Sequence, residues 1–209
     1  MISLDAYRND PCGTLSIPYW KSKSITVPPG MQIVHQREFD ASCCIVCRDE
    51  PYFRLVHDLT DIPVDRCGRY NCRTADEADL PLMMDIINRS YADLSVTEAQ
   101  LRGYRETAAF APDMWIIACD AQTKICVGCG IADFDPEARE GVLEWIQVLP
   151  HYRGRGAGRF IVSELLRRMA DRADFATVSG RVDNATNPER LYRKCGFRGN
   201  DIWHVLREE

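Results

Sequence analysis

Residues 151–160 read HYRGRGAGRF, three glycines and three arginines in ten positions. The preceding GVLEWIQVL alternates like a strand, and the following FIVSELLRRMA has the apolar spacing of a helix. A helix that starts here presents unpaired backbone N–H groups and a partial positive charge. Gly154, Gly156 and Gly158 allow close backbone approach to an anion, and Arg153, Arg155 and Arg159 add cations. These residue types at a strand-to-helix turn suit a phosphate-type ligand, most of all a pyrophosphate. They are not a nucleotide P-loop, because the G-x-x-x-x-G-K-[ST] spacing is absent. Nor are they a dinucleotide fingerprint, because no matching acidic residue follows a second strand.

Two further residue types have chemical use. Glu144 stands in the middle of an otherwise apolar strand, where a carboxylate is costly unless paired or used. Strict alternation puts Glu144, Ile146 and Val148 on one face, the core face, and only a bulge would turn Glu144 toward a cleft. Asp133 and Asp135 are weaker rivals, since DFDPEARE reads as a solvated turn. The cysteines number ten, too few for a disulfide scaffold in a chain this long. Cys43, Cys44, Cys47, Cys67 and Cys72 are irregularly spaced for zinc ligands, and no metal is expected. Cys126 and Cys129 form C-x-x-C inside the strand-like KICVGCGIADF, where they read as small apolar residues.

The elements that must position these residues follow from pattern. From Tyr70 onward the order is strand (YNCRT), helix (DLPLMMDIINRSYA), helix (VTEAQLRGYRET), then strands MWIIACD, KICVGCGIADF and GVLEWIQVL. A helix over 156–172, strand ATVSGRV, helix NPERLYRKCG and strand DIWHVLR complete it. Asp79 is the expected N-cap of the first helix, with Pro81 in its first turn. This order predicts an α/β (α+β) fold with a mixed sheet, antiparallel hairpins in the middle and one parallel crossover between 142 and 182. Residues 1–69 are irregular: HQREFDASCCIVCRDE reads as a short helix and YFRLVHDL as a strand suited to an open sheet edge. Their large apolar groups, among them Tyr19, Trp20 and Phe53, predict a segment packed on the core, with IPYWKSK narrowing a cleft.

Bulk properties exclude some classes. The chain has 209 residues, 45% hydrophobic and 27% charged, with a net charge of −5. That suits one globular domain with an extension, and gives no general attraction to nucleic acid or to acidic membranes. There is no apolar run of membrane-spanning length and no signal-like start, so the expected location is cytoplasmic.

The stretch QVLPHYRGRGAG closely resembles motif A of the GNAT superfamily of N-acetyltransferases, with Val148, Pro150, Arg153, Gly156 and Gly158 in place. LYRKCGF resembles the superfamily's second signature through Leu191, Tyr192, Gly196 and Phe197. The resemblance covers residues 70–209, as a GNAT domain, and leaves 1–69 as an extension. It implies acetyl-coenzyme A as co-substrate and direct amine attack on its thioester. The implied coenzyme contacts are Val148, Leu149, Arg153, Gly154, Arg155, Gly156, Ala157, Gly158 and Arg159, largely through main-chain groups. The resemblance implies Tyr192 as general acid for the leaving thiolate, a phenol of pKa about 10 being matched to that task. The bland alternative is an amphipathic core tyrosine. Some members carry a Glu that deprotonates the amine where Glu144 stands. The Asn that many members place seven residues before the Tyr is Ala185 here. Asn184 and Asn187 flank that place, and Asn187 is the candidate coenzyme contact, although as N-cap before Pro188 it also has a structural reason.

Acceptor walls implied by the fold are Tyr91, Tyr104, Trp115 and Trp145, which with carboxylates suit a cationic amine, small molecule or peptide. A homodimer is compatible with the sequence. The alternative functions are a non-catalytic acyl-coenzyme A module of the same fold, and a nucleic-acid-binding domain using YRGRGAGR. The acidic total weighs against the second.

Overall fold

The computed structural model describes residues 2–41, 47–64, 68–90 and 94–208. Three short helices open the chain: α1 (Leu4–Asn9), α2 (Pro11–Thr14) and α3 (Tyr19–Ser22). Strands β1 (Met31–His35), β2 (Cys47–His57) and β3 (Tyr70–Thr74) follow, then helices α4 (Leu80–Ser90) and α5 (Glu98–Tyr104). Next come β4 (Phe110–Asp120), β5 (Cys126–Asp135), β6 (Glu140–Val148), α6 (Ala157–Met169), β7 (Phe175–Arg181), α7 (Pro188–Lys194) and β8 (Arg198–Glu208). From β3 onward this is the order that the hydrophobic periods predict.

The strands form one mixed sheet in the order β1-β8-β2-β7-β6-β5-β4-β3. The neighbours are antiparallel except β6 and β7, the predicted parallel pair joined through α6. Helix α6 packs Ile161, Val162, Leu165 and Leu166 on one face of the sheet, against Met114, Ile116 and Ala118 of β4. Alternation along β4 sends Trp115 and Ile117 to the other face, where Leu80, Met83, Ile86 and Ile87 of α4 and Leu101 of α5 cover them. A sheet buried on both faces explains why β4 and β5 read as nearly continuous apolar runs.

The N-terminal segment departs from its expected place. Strand β2 does not sit on an edge; it lies between β7 and β8, antiparallel to both. The buried Phe53 and Leu55 explain the position, because two apolar residues on the core face need cover from neighbours on both sides. Buried polar groups tie the segment down further. Arg54 of β2, 1% exposed, meets Glu140 of β6, 0% exposed, at 3.4 Å. The Tyr7 hydroxyl donates to Glu140 Oε1 at 2.7 Å and accepts from Arg54 Nη2 at 2.8 Å. Thr177 of β7 donates to the same carboxylate oxygen, and Arg54 Nε donates to the Pro11 carbonyl at 3.2 Å. Burial pushes the Glu140 carboxyl up, against the opposing charge of Arg54.

Two local expectations need correction. The N-cap before α4 is Asp76, whose side chain accepts from Ala78 N while Asp79 closes the capping box from three residues on. Asp79 also holds Arg73 at 2.6 Å. The helix expected over HQREFDASCCIVCRDE is absent from its described parts, which begin in β1, turn after His35 and end in β2. Residues 42–46 of that stretch, with Cys43 and Cys44, lie outside the described residues, as does Cys67.

Candidate active site

Three local irregularities converge on one groove of ≈ 1120 Å³. The first is a split in the sheet. The parallel ladder ends at the Leu143–Val178 pair, yet β6 runs on to Val148 and β7 to Arg181. Residues 144–148 and 179–181 all line the groove between them. Leu149 N donates back to Val127 O of β5 at 2.9 Å, so strand alternation aims the Val148 N–H toward the side that β7 has left.

The second irregularity is a β-bulge. Ile131 faces Trp145 and Ala132 faces Leu143, which leaves Glu144 as the extra residue of β6. The bulge breaks the alternation that would bury Glu144 and turns it into the groove. The third is the start of α6. Gly154 (φ +73°) and Gly156 (φ +93°) take left-handed backbone conformations, and among the described residues no side chain caps the helix N-terminus. A Cβ at either glycine would meet no atom of the described residues within 4 Å. The backbone shape, not crowding, is what requires glycine there.

Tyr192, on α7, joins the groove with its ring 6.2 Å from Phe53 and 5.8 Å from Phe197. It is buried among core residues and also faces the groove, so the two readings of it are compatible. Asn187 caps α7 by accepting from Arg190 N at 3.3 Å, and it lines the groove as well. Tyr104 and Trp145 line it too, together with Trp20 and Lys21 of α3, from IPYWKSK, and the following Ser24.

Several expected contacts are placed elsewhere. Trp115 is fully buried between the sheet and α4, 5.7 Å from Phe110, and cannot wall an acceptor site. Leu149 spends its amide on Val127 and packs its side chain in that same core. The Ala157 side chain is buried under the helix, leaving only its main chain for an anion. Arg155 is exposed, its guanidinium 5.8 Å from the Tyr152 ring and its carbonyl accepting from Tyr70 Oη at 3.0 Å. Arg153 lines the groove but commits donors to the Val148 carbonyl (3.1 Å) and the Ser90 carbonyl (2.8 Å), fastening the end of β6 to the end of α4. Tyr91 lies outside the described residues.

One groove residue was underrated by the sequence. Asp133 is buried, 6% exposed, and lines the wall near Glu144. Burial, then the charge of Glu144, pushes its carboxyl up to about 8, with Lys21 opposing. Glu144 accepts a bond from Lys21 Nζ at 2.5 Å. The acidic end of the groove therefore holds one buried carboxyl shifted upward and one carboxyl paired with the Lys21 amine. The misleading signal was the turn: Asp135 takes the turn contacts, accepting from Glu137 N and Ala138 N, while Asp133 belongs to the strand.

A groove of this size, with an uncapped helix start at one end and a bulged carboxylate at the other, fits a long ligand with an anionic middle and a reactive end. Pockets for ordinary small ligands are about 300–1000 Å³. The split edge of β6 can hold amide groups of an extended arm, and the start of α6 a pyrophosphate.

Comparison with known proteins bears on the fold and on part of the chain. A family model described as an acetyltransferase (GNAT) domain matches residues 112–199, from β4 into β8. Among solved structures, a GCN5-related N-acetyltransferase from Sphaerobacter thermophilus superposes with a TM-score of 0.62 at 18% identity, covering 78% of this chain and 53% of that one. The chain thus spans about half the length of that relative. A GCN5-related glucosamine N-acetyltransferase region of a fungal multi-domain GH3 β-N-acetylglucosaminidase gives 0.59 at 14% identity, over 77% of this chain and 21% of that one. The ribosomal-protein-S18-alanine N-acetyltransferase from Escherichia coli gives 0.51 at 17% identity, over 66% and 91%. At these identities the likeness is one of fold. A comparison with curated proteins found no match. Residues 112–199 thus match the GNAT acetyltransferase domain family, and the chain shares the fold of the solved GNAT acetyltransferases.

Proposed function

We propose that the chain is an acetyl-coenzyme A-dependent N-acetyltransferase that moves an acetyl group to a primary amine by direct attack. One observation carries the reading: the Glu144 bulge and the start of α6 lie on a single groove along the split between β6 and β7. Acetyl-coenzyme A supplies an activated acyl group on a pyrophosphate-bearing arm. Main-chain N–H groups of residues 155–159, with the charge of Arg153 and Arg159, hold the pyrophosphate. Val148 N–H is the donor for developing oxyanion charge. Glu144 takes the proton of the acceptor ammonium, directly or through water, and Tyr192 returns a proton to the leaving sulfur. Trp20, Tyr104 and Trp145 with the carboxylates suit a cationic acceptor, a small amine or a peptide amine. The upward shift of Asp133 makes its ionisation responsive to an added cation in the groove.

The test is thiol release from acetyl-coenzyme A across a panel of primary amines, with the acetylated amine identified by mass spectrometry. Release that depends on an amine and falls in Glu144→Gln supports the reading. A protein that binds acetyl-coenzyme A but releases no thiol with any amine favours the non-catalytic module.

A further inference from the structure

The cations of this chain are nearly all arginine. Of 26 lysines and arginines, four are lysines: Lys21, Lys23, Lys124 and Lys194. Arginine supplies the cation in pairs such as those with Asp79, Asp174, Glu164 and Glu189. Lysine stands on the candidate base. Lys21 Nζ is 2.5 Å from Glu144 Oε1, with both side chains about one-fifth exposed (23% and 21%) inside the groove. For an ion pair alone, arginine would serve with a planar fork of donors. What lysine adds is a primary amine that becomes a nucleophile on losing one proton.

The helix carrying Lys21 is held in place. Tyr19 packs on Tyr7 with ring centroids 5.3 Å apart, and Tyr19 N donates to the buried Glu140 at 3.5 Å. Lys23 pairs with Glu137 and lies 4.6 Å from the Tyr19 ring. Lys21 is thus a tethered amine with little freedom to lose, the condition under which intramolecular attack is most effective.

We propose that Lys21 is itself an acetyl acceptor, modified in cis by acetyl-coenzyme A held in the same groove; this rests on the N-acetyltransferase reading above. Glu144 takes one proton from the Lys21 ammonium. The neutral Nζ attacks the thioester carbonyl carbon, and the C–N bond forms as the C–S bond breaks. A second nitrogen proton passes to the departing sulfur, giving the free thiol and a neutral amide. The proton on Glu144 returns to solvent. No electrons are gained or lost, and acetyl-coenzyme A is the sole co-reactant. The product carries no charge at Nζ, so its ion pair with Glu144 ends, leaving that carboxylate for an incoming ammonium.

The experiment incubates the full chain with acetyl-coenzyme A and no added amine, and follows acetylation at all four lysines by peptide mass spectrometry at two protein concentrations. Thermal protection by acetyl-coenzyme A is recorded in parallel. Lys21 should be acetylated about 100-fold faster than the exposed Lys124, the order of gain given by a positioned base. The rate constant should not depend on protein concentration, and Glu144→Gln should slow it. Lys21→Arg should abolish the fast phase and leave the slow labelling of the other lysines. A protein that acetyl-coenzyme A protects, yet whose Lys21 reacts no faster than Lys124, overturns this inference and leaves the N-acetyltransferase reading standing. A rate that rises with protein concentration overturns the cis route. Absence of both protection and labelling overturns the two together.

Discussion

At the scale of single residues, Tyr192 and Asp133 give the sharpest tests. Tyr192→Phe keeps the ring that packs near Phe53 and Phe197 and removes only the proton donor. Turnover should fall about 10- to 1000-fold with acetyl-coenzyme A affinity nearly unchanged, as read by steady-state rates beside a binding titration. Asp133 makes a claim about pH. Its carboxyl is raised in the folded protein, so between the ordinary carboxylate range and about pH 8 the native state holds a proton that the unfolded chain gives up. Stability contributed by that proton is present in acid and is lost as pH rises. The difference in unfolding free energy between wild type and Asp133→Asn should therefore shift against the wild type from pH 4 to pH 8, and level off above. A difference that is flat across this range would mean that Asp133 ionises normally. The same raised carboxyl makes the acidic end of the groove responsive to a cation, which ties a stability measurement to acceptor choice.

At the scale of elements, the decisive features are departures from regularity. Hydrophobic period made every element from β3 to β8 legible, because a sheet covered on both faces leaves plain apolar runs and an amphipathic α6. The glycine-rich start of α6 was legible too, since glycines at a strand-to-helix turn mark left-handed backbone there. The Glu144 bulge was legible only as an option. Strict alternation buried that side chain, and the extra residue is set by pairing with β5, which period cannot show. Trp115 was misplaced because a tryptophan beside a cleft strand looks the same in sequence whether its face is wet or covered by α4. Lys21 and Asp133 were undervalued because their meaning comes from contacts of long range: Lys21 with Glu144 across 123 positions, and Asp133 with the neighbouring strand. The element-scale prediction concerns Arg54. Arg54→Met leaves Glu140 buried without its cation, and should cost about 3–5 kcal/mol in chemical unfolding. The paired replacement of Arg54 and Glu140 by apolar residues should recover much of that loss, because the expense lies in the unpaired charge.

At the scale of the whole molecule, residues 1–69 supply parts that the C-terminal elements lack. Strand β2 fills the sheet between β7 and β8, and α3 brings Trp20 and Lys21 to the groove. We propose that this segment is part of the folding unit and not a separate module. Deletion of residues 1–69 exposes the facing edges of β7 and β8 and uncovers Glu140, so the remainder should aggregate or lack a cooperative melt. A soluble remainder with a sharp transition would show the opposite. The central claim, that acetyl-coenzyme A is held where β6 and β7 part, is tested most directly by its effect on the melting of the full chain. A ligand that binds only the native state at about a hundred times its Kd stabilises by about 2.7 kcal/mol. Wild type should show a concentration-dependent rise in Tm with acetyl-coenzyme A, and Gly156→Asp, with a like charge and a side chain at φ +93°, should lose most of it. Equal protection of the two proteins, or none of the wild type, would contradict the account.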